Sequence, residues 1–267
     1  MIYYARIITR SQFIHIICNS ALVVAADGLP VLKHGNRSVT SQCGSADFLS
    51  KLGVVLEASD SQLLHALEHA NFCYLHAPAF HPAFKAVAGV RKKIAETGAK
   101  TVFNVLGPLI NPSHPQRMLV GVYDERWVEP LAAVLGDLGV KRGLVTFCRA
   151  GCGMDEICTA GAVRVRGCGE VACVDTTWLP ADFGFRQCAV DELRGGTPDE
   201  NIAIFNRLLE GNVTEGLLDT ICLTAGAALW VAGRASHPAA GARRARDIIL
   251  GGELRAQLCR VQEAYRS

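Results

Sequence analysis

The stretch that decides the fold class is Met118-Leu119-Val120-Gly121-Val122-Tyr123, then Arg126 to Leu138, then Gly143-Leu144-Val145-Thr146-Phe147. Two short apolar runs bracket a segment of helical pattern, and that alternation marks an α/β sheet. Working upstream, Ile16 to Leu32 reads as a helix followed by a short strand, with Gly28 as the left-handed terminator and Pro30 opening the strand. A polar loop runs from Lys33 to Ser45, and Ser45 to Gly53 is a short helix with a serine cap and a glycine stop. Leu63, Leu64 and Leu67 mark another helix, and Phe72 to Leu75 a strand. His81-Pro82 opens a long helix that carries Val87, Val90 and Ile94 inward, with Arg91, Lys92 and Lys93 on its polar side. Gly107-Pro108 and Asn111-Pro112 punctuate a turn. Downstream, Val163 to Val174 reads as a hairpin, and Asp199 to Leu209 and Leu217 to Ala232 as helices. The second of these is almost wholly apolar and therefore buried. Ala239 to Tyr265 is helical and carries Arg243, Arg244, Arg246, Arg255 and Arg260. The expected fold is α/β, with a central, mostly parallel sheet flanked by helices.

Composition bounds the function. The chain has 267 residues, 50% hydrophobic and 19% charged, which excludes disorder and predicts a large core. Lysine and arginine number 27 against 25 acids, a formal charge of +2, so neither nucleic acid nor a membrane surface is an expected partner. An anion must be held by a local site. The 11 cysteines are dispersed, with no C-x-x-C pair, and read as reduced thiols in a cytoplasmic protein. His65 and His69, with His76 and His81 nearby, lack a glutamate or cysteine at a zinc-ligand spacing and read as a solvated helix face. Arg6 and Arg10 ahead of Phe13 to Ala26 outline a signal peptide faintly. Gln12, His15 and Asn19 interrupt it, and a buried helix fits better.

Two stretches carry chemistry. Lys33-His34-Gly35-Asn36-Arg37-Ser38-Val39-Thr40-Ser41-Gln42-Cys43-Gly44-Ser45 combines basic side chains, hydroxyls and glycines ahead of a helix, a composition suited to cradling an anion. The same residues also suit an ordinary polar cap. Gly153-Met154-Asp155-Glu156 follows the strand that ends near Phe147. Adjacent carboxylates at the mouth of an α/β sheet suit magnesium, which takes one or two carboxylates, waters and substrate phosphates. A solvated acidic turn has the same composition. Arg91 alone reads as a surface arginine.

Lys33 to Ser45, with Ala46-Asp47-Phe48-Leu49 and Leu52-Gly53, closely resembles the K-H-G-N-R-x-x-S-S-x-x-G-S-A-D-x-L-x-x-L-G stretch of the anthranilate phosphoribosyltransferase family. Ala77-Pro78 through His81-Pro82 to Arg91 resembles it too. So do Thr101 to Pro112 (T-x-F-N-x-L-G-P-L-x-N-P) and Gly153 to Gly161 (G-x-D-E-x-x-x-x-G). The resemblance implies transfer of a phosphoribosyl group from phosphoribosyl pyrophosphate to the anthranilate nitrogen, a step of tryptophan biosynthesis. It assigns Lys33, Ser45 and the loop between them (Gly35, Arg37, Ser38, Val39, Thr40, Ser41) to phosphoribosyl pyrophosphate. Asn36 and Arg91 go to anthranilate, with His34 close by, and Asp155 and Glu156 to Mg2+. It also implies a small helical domain beside the α/β domain, and a homodimer.

The likeness fails at the start. Residues 1–18 resemble nothing in the family, and 19–267 form the α/β domain, beside an incomplete small helical domain. The family's G-T-G-G-D loop, which wraps the pyrophosphate, has no counterpart string here. The N-I-S-T that follows it falls on His15-Ile16-Ile17-Cys18, which puts Ile17 where a magnesium-binding hydroxyl belongs. The expectation is an impaired, N-terminally truncated transferase. Two alternatives stand beside it: a same-fold relative or nucleoside phosphorylase with another acceptor, and a degenerate binding protein without catalysis.

Overall fold

Seven strands form one sheet in the order β3-β2-β1-β4-β5-β6-β7. In this computed structural model the described residues are 2–6, 13–37, 42–83, 87–97, 99 and 101–266. The strands are β1 (Ile2–Arg6), β2 (Val31–Gly35), β3 (Phe72–His76), β4 (Arg117–Gly121), β5 (Arg142–Cys148), β6 (Val163–Gly169) and β7 (Asp175–Trp178). The first five are mutually parallel, and β6 and β7 extend the sheet as an antiparallel hairpin. The expectation of a mostly parallel α/β sheet holds. β1 lies third in that order, between β2 and β4.

A parallel sheet needs helices on both faces, because each crossover lays one down. Strand alternation shows the two faces directly. Leu119 and Leu144 enter the main apolar core, while their neighbours Met118, Val120 and Val145 enter a second cluster on the opposite face. The main core holds α1 (Ile16–Ala26), which is buried from Ile16 to Ala25 and ends at Gly28 with φ +80°, as read from the sequence. Beside it are α2 (Ser45–Lys51) and α3 (Asp60–Ala70).

Between β3 and β4 run α4 (Ala77–Phe80), α5 (Ala88–Glu96) and α6 (Phe103–Leu106), the last continuing into a 3-10 turn over Gly107–Ile110. The long helix expected from His81 is interrupted: Ala83 is helical, 84–86 lie outside the described residues, Val87 is a turn, and α5 follows. Val87 and Ile94 are half-buried as expected, but Val90 is exposed rather than inward. α7 (Val128–Asp137) packs Leu131 and Leu135 onto the second cluster. α8 (Pro198–Leu209), capped by Thr197, precedes α9 (Glu215–Val231), which is buried along nearly its whole length. The single C-terminal helix expected from Ala239 is two, α10 (Pro238–Leu250) and α11 (Glu253–Arg266), broken at Gly251-Gly252. Gly252 has φ +91°, a conformation that side-chain-bearing residues rarely adopt. No described helix is long and apolar enough to cross a membrane. Eight of the 11 cysteines are buried; Cys152, Cys173 and Cys259 are exposed.

Candidate active site

All five parallel strands end at one edge of the sheet. The chain runs β1, β2, β3 to one side, then returns to place β4 on the far side of β1. Strand order therefore reverses between β1 and β4, the position where open α/β sheets bind ligands. β2 and β4 are separated by β1 alone, about 10 Å across.

The β2 side of this edge carries the basic stretch. Lys33, His34 and Gly35 are not loop, as the sequence suggested, but the last three residues of β2. Lysine, histidine and glycine are poor strand formers, and pairing with β1 and β3 overrides their preference. Lys33 is 3% exposed. The chain then leaves the sheet and is stitched back to itself. Ala46 N–H (3.4 Å) and Ser45 Oγ (3.5 Å) both donate to the Asn36 carbonyl. Arg37 reaches Asp47 at 3.0 Å, and the Asp47 carboxylate also accepts the Gly44 N–H at 2.9 Å. Gly35 makes the closure sterically possible, since a Cβ there would stand 2.5 Å from Ser45 Oγ. The loop's tip, Ser38, Val39, Thr40 and Ser41, lies outside the described residues. Asn36 and Arg37 are exposed.

Tyr74, on β3 opposite Lys33, comes within 3.4 Å of Ser45 Oγ through its hydroxyl. Sequence reasoning missed it, and only the register between β2 and β3 reveals it. His34 lies on the other face, its ring 5.1 Å from that of His81 and edge-on. Burial, and then the neighbouring His81, push the His34 imidazole down to about 4, so it is neutral at physiological pH. Burial also lowers His76 and His81. His65 and His69 stack on each other at 3.9 Å on α3, away from this group, in keeping with a solvated helix face. No group of three or more metal-ligating His, Cys, Asp or Glu side chains exists among the described residues.

The β4–β5 side carries the carboxylates. Cys148, the last residue of β5, exchanges both backbone hydrogen bonds with Met154, each 2.9 Å, closing a tight hairpin. Gly151 (φ +56°) and Gly153 (φ +97°) turn it. Asp155 and Glu156 follow, 0% and 1% exposed, so they are not the solvated acidic turn that composition also allowed. A Cβ on Gly121, the last residue of β4, would overlap the Asp155 carbonyl, so the hairpin lies directly on the end of β4. Two buried hard oxygen donors beside a ligand crevice fit magnesium, which completes its shell with waters and phosphate oxygens. Arg91 stands on α5, and its side chain is outside the described set.

Between these two sides the chain passes from β1 into α1. Residues 7–15 contain no glycine. His15, at the start of α1, bonds through Nε2 to the Cys43 carbonyl at 2.9 Å and stacks on Phe48 at 5.6 Å. Ile17 is buried.

Comparison with known proteins gives the class first. The family described as "Glycosyl transferase family, a/b domain" matches residues 9–254. This is a family of sugar-transferring enzymes. The anthranilate phosphoribosyltransferase of Shewanella amazonensis is 42% identical over 240 residues, covering 90% of this chain and 68% of its own length. That of Natronomonas pharaonis is 41% identical over 250 residues, covering 94% and 73%. The crystal structure of the Thermus thermophilus anthranilate phosphoribosyltransferase superposes with a TM-score of 0.90 at 37% identity, covering all of this chain and 78% of that one. A Saccharomyces cerevisiae anthranilate phosphoribosyltransferase in complex with PRPP (phosphoribosyl pyrophosphate) and Mg has the same fold, with a TM-score of 0.87 at 21% identity over 99% of this chain and 73% of that one. The chain belongs to the anthranilate phosphoribosyltransferase family, a family of pentosyltransferases.

Proposed function

We propose that this chain binds phosphoribosyl pyrophosphate and anthranilate at the carboxyl edge of its sheet, and that it transfers the phosphoribosyl group slowly. The observation that carries the reading is the burial of Lys33, Asp155 and Glu156 at one edge, on opposite sides of β1. A basic side chain on one side and two adjacent carboxylates on the other suit a polyanion held together with its cation.

In the reaction the anthranilate nitrogen donates its lone pair to ribose C1 while the C1–oxygen bond to pyrophosphate breaks. Pyrophosphate leaves with the electron pair, and the nitrogen loses a proton. Little covalent chemistry falls to the protein. Its work is positioning and charge neutralisation. Lys33 is a point charge toward phosphate, and the Asn36–Ser45 stitch brings together the two ends of the hydroxyl-bearing stretch. Asn36 and Arg91 hold the aromatic carboxylate, and neutral His34 lines that side without adding charge. Asp155 and Glu156 would hold Mg2+, which when bound neutralises the departing pyrophosphate. The connection from β1 to α1 has no glycine between residues 7 and 15, so it lacks the residues that most readily let backbone N–H groups close around a pyrophosphate. One oxyanion-type donor is worth about 3 kcal/mol in rate. The same feature favours a second reading, a protein that binds both substrates with no turnover.

Calorimetry with phosphoribosyl pyrophosphate and Mg2+ tests binding, and no measurable heat would remove both readings. Arg91→Ala should weaken anthranilate affinity by about 10- to 100-fold, the worth of a charge-assisted bond. Unchanged affinity would take Arg91 out of the site.

A further inference from the structure

On either side of the carboxylates in sequence, Cys148, Met154 and Cys158 form a sulfur cluster that the transfer reaction does not use. Cys148 and Cys158 are both fully buried, with their Sγ atoms 3.0 Å apart. The Met154 sulfur lies 3.7 Å from Cys158 Sγ. The arrangement follows from the hairpin. Cys148 is locked opposite Met154 by two backbone hydrogen bonds of 2.9 Å, and the chain then turns so that Cys158, four residues on, folds back onto both sulfurs. The segment between the two cysteines contains Asp155 and Glu156 and, nearer the hairpin turn, the exposed thiol of Cys152.

We propose that Cys148 and Cys158 form a reversible disulfide that clamps the hairpin carrying Asp155 and Glu156. Free thiols packed as apolar fillers do not need to touch. A pair already 3.0 Å apart needs only about 1 Å of further approach to bond. The oxidant is a peroxide, small enough to enter when the glycine-rich turn opens locally. One thiol is oxidised by hydrogen peroxide to a sulfenic acid, with release of one water. The second thiol then attacks that sulfur, the S–S bond forms and a second water leaves. The two sulfurs together give up two electrons, and the peroxide takes both. A dithiol reverses the step by exchange. Metal sites tolerate ligand displacements of only about 0.2 Å, so drawing the hairpin base together weakens the cation site between its ends. That last consequence rests on the proposed metal role of Asp155 and Glu156; the disulfide itself does not.

The test is made on the full chain. It is treated with hydrogen peroxide, its remaining thiols are alkylated, and it is digested and read by mass spectrometry. A Cys148–Cys158 linked peptide, two hydrogens lighter than the pair, is expected. It should vanish with dithiothreitol and be missing from Cys158→Ala. Recovery of both cysteines as free thiols, after Cys152, Cys173 and Cys259 have been oxidised, would overturn the proposal. So would linkage of either one to Cys152 instead. Mn2+ affinity by electron paramagnetic resonance should fall at least about fivefold on oxidation and be unchanged by oxidation in Cys158→Ala. Equal affinity in the linked and reduced chains would refute the clamp. A reduced chain that binds no Mn2+ would remove the metal role, while the disulfide is still scored by mass.

Discussion

Two connections leave the carboxyl edge of the sheet with opposite character. The one after β5 turns on two left-handed glycines, is locked by paired backbone bonds and rests on Gly121. It delivers Asp155 and Glu156, fully buried, to the edge. The one after β1 has no glycine between residues 7 and 15, and it enters α1 through His15 and Ile17. There a histidine is occupied with the Cys43 carbonyl, and an isoleucine is buried. The half of the site that suits a cation is built. The connection after β1 offers no glycine with which a backbone could wrap a leaving pyrophosphate. The sheet and the connections that leave it depend on different atoms, so one connection can change while the fold is kept.

The contrast is sharpened most by removing the carboxylates. Asp155→Asn with Glu156→Gln should lower Mn2+ affinity at least about 100-fold, since even residues that only orient a ligand cost 10- to 100-fold. Paramagnetic resonance titration reads it, and an unaltered affinity would mean that the built half is not a metal site. Next is Gly121→Ala, where the new Cβ meets a backbone carbonyl that cannot swing aside. A loss of about 2–3 kcal/mol is expected by urea unfolding. A neutral substitution would show that the hairpin does not rest on β4.

The smallest effect concerns His34. Its folded value, near 4, lies below the ordinary 6.5, so at acid pH the unfolded chain binds the proton that the folded chain refuses. The contribution is present above pH 6.5 and is lost as pH falls toward 4. Between pH 7 and pH 5 stability should drop by about 2 kcal/mol from this residue. His34→Gln should flatten that part of the pH–stability curve, and an identical slope would contradict the burial of a neutral imidazole.

Much of this was legible beforehand, and the exceptions have physical causes. α1, α9, β4 and β5 carry apolar patterns strong enough to stand alone. β1 does not: Ile2-Tyr3-Tyr4-Ala5-Arg6 is short and ends in arginine, and only its parallel neighbours make it a strand. Lys33-His34-Gly35 was read as loop for the same reason. The break at Gly251-Gly252 was visible as a glycine pair, but the helical stripe on either side obscured it. In the site, the basic stretch and the carboxylates were legible from their composition and position, and the resemblance to a family assigned their roles. Tyr74 against Ser45, and Cys148 against Cys158, needed strand register and the hairpin's closure, which no local spacing encodes.

The central claim is that the glycine-free connection limits catalysis in an otherwise assembled site. It is tested most directly by the loss of anthranilate fluorescence with phosphoribosyl pyrophosphate and Mg2+, run beside the Thermus thermophilus enzyme under one set of conditions. Turnover at least about 100-fold slower than that relative is expected, the cost of a single lost donor. An equal rate would contradict the account.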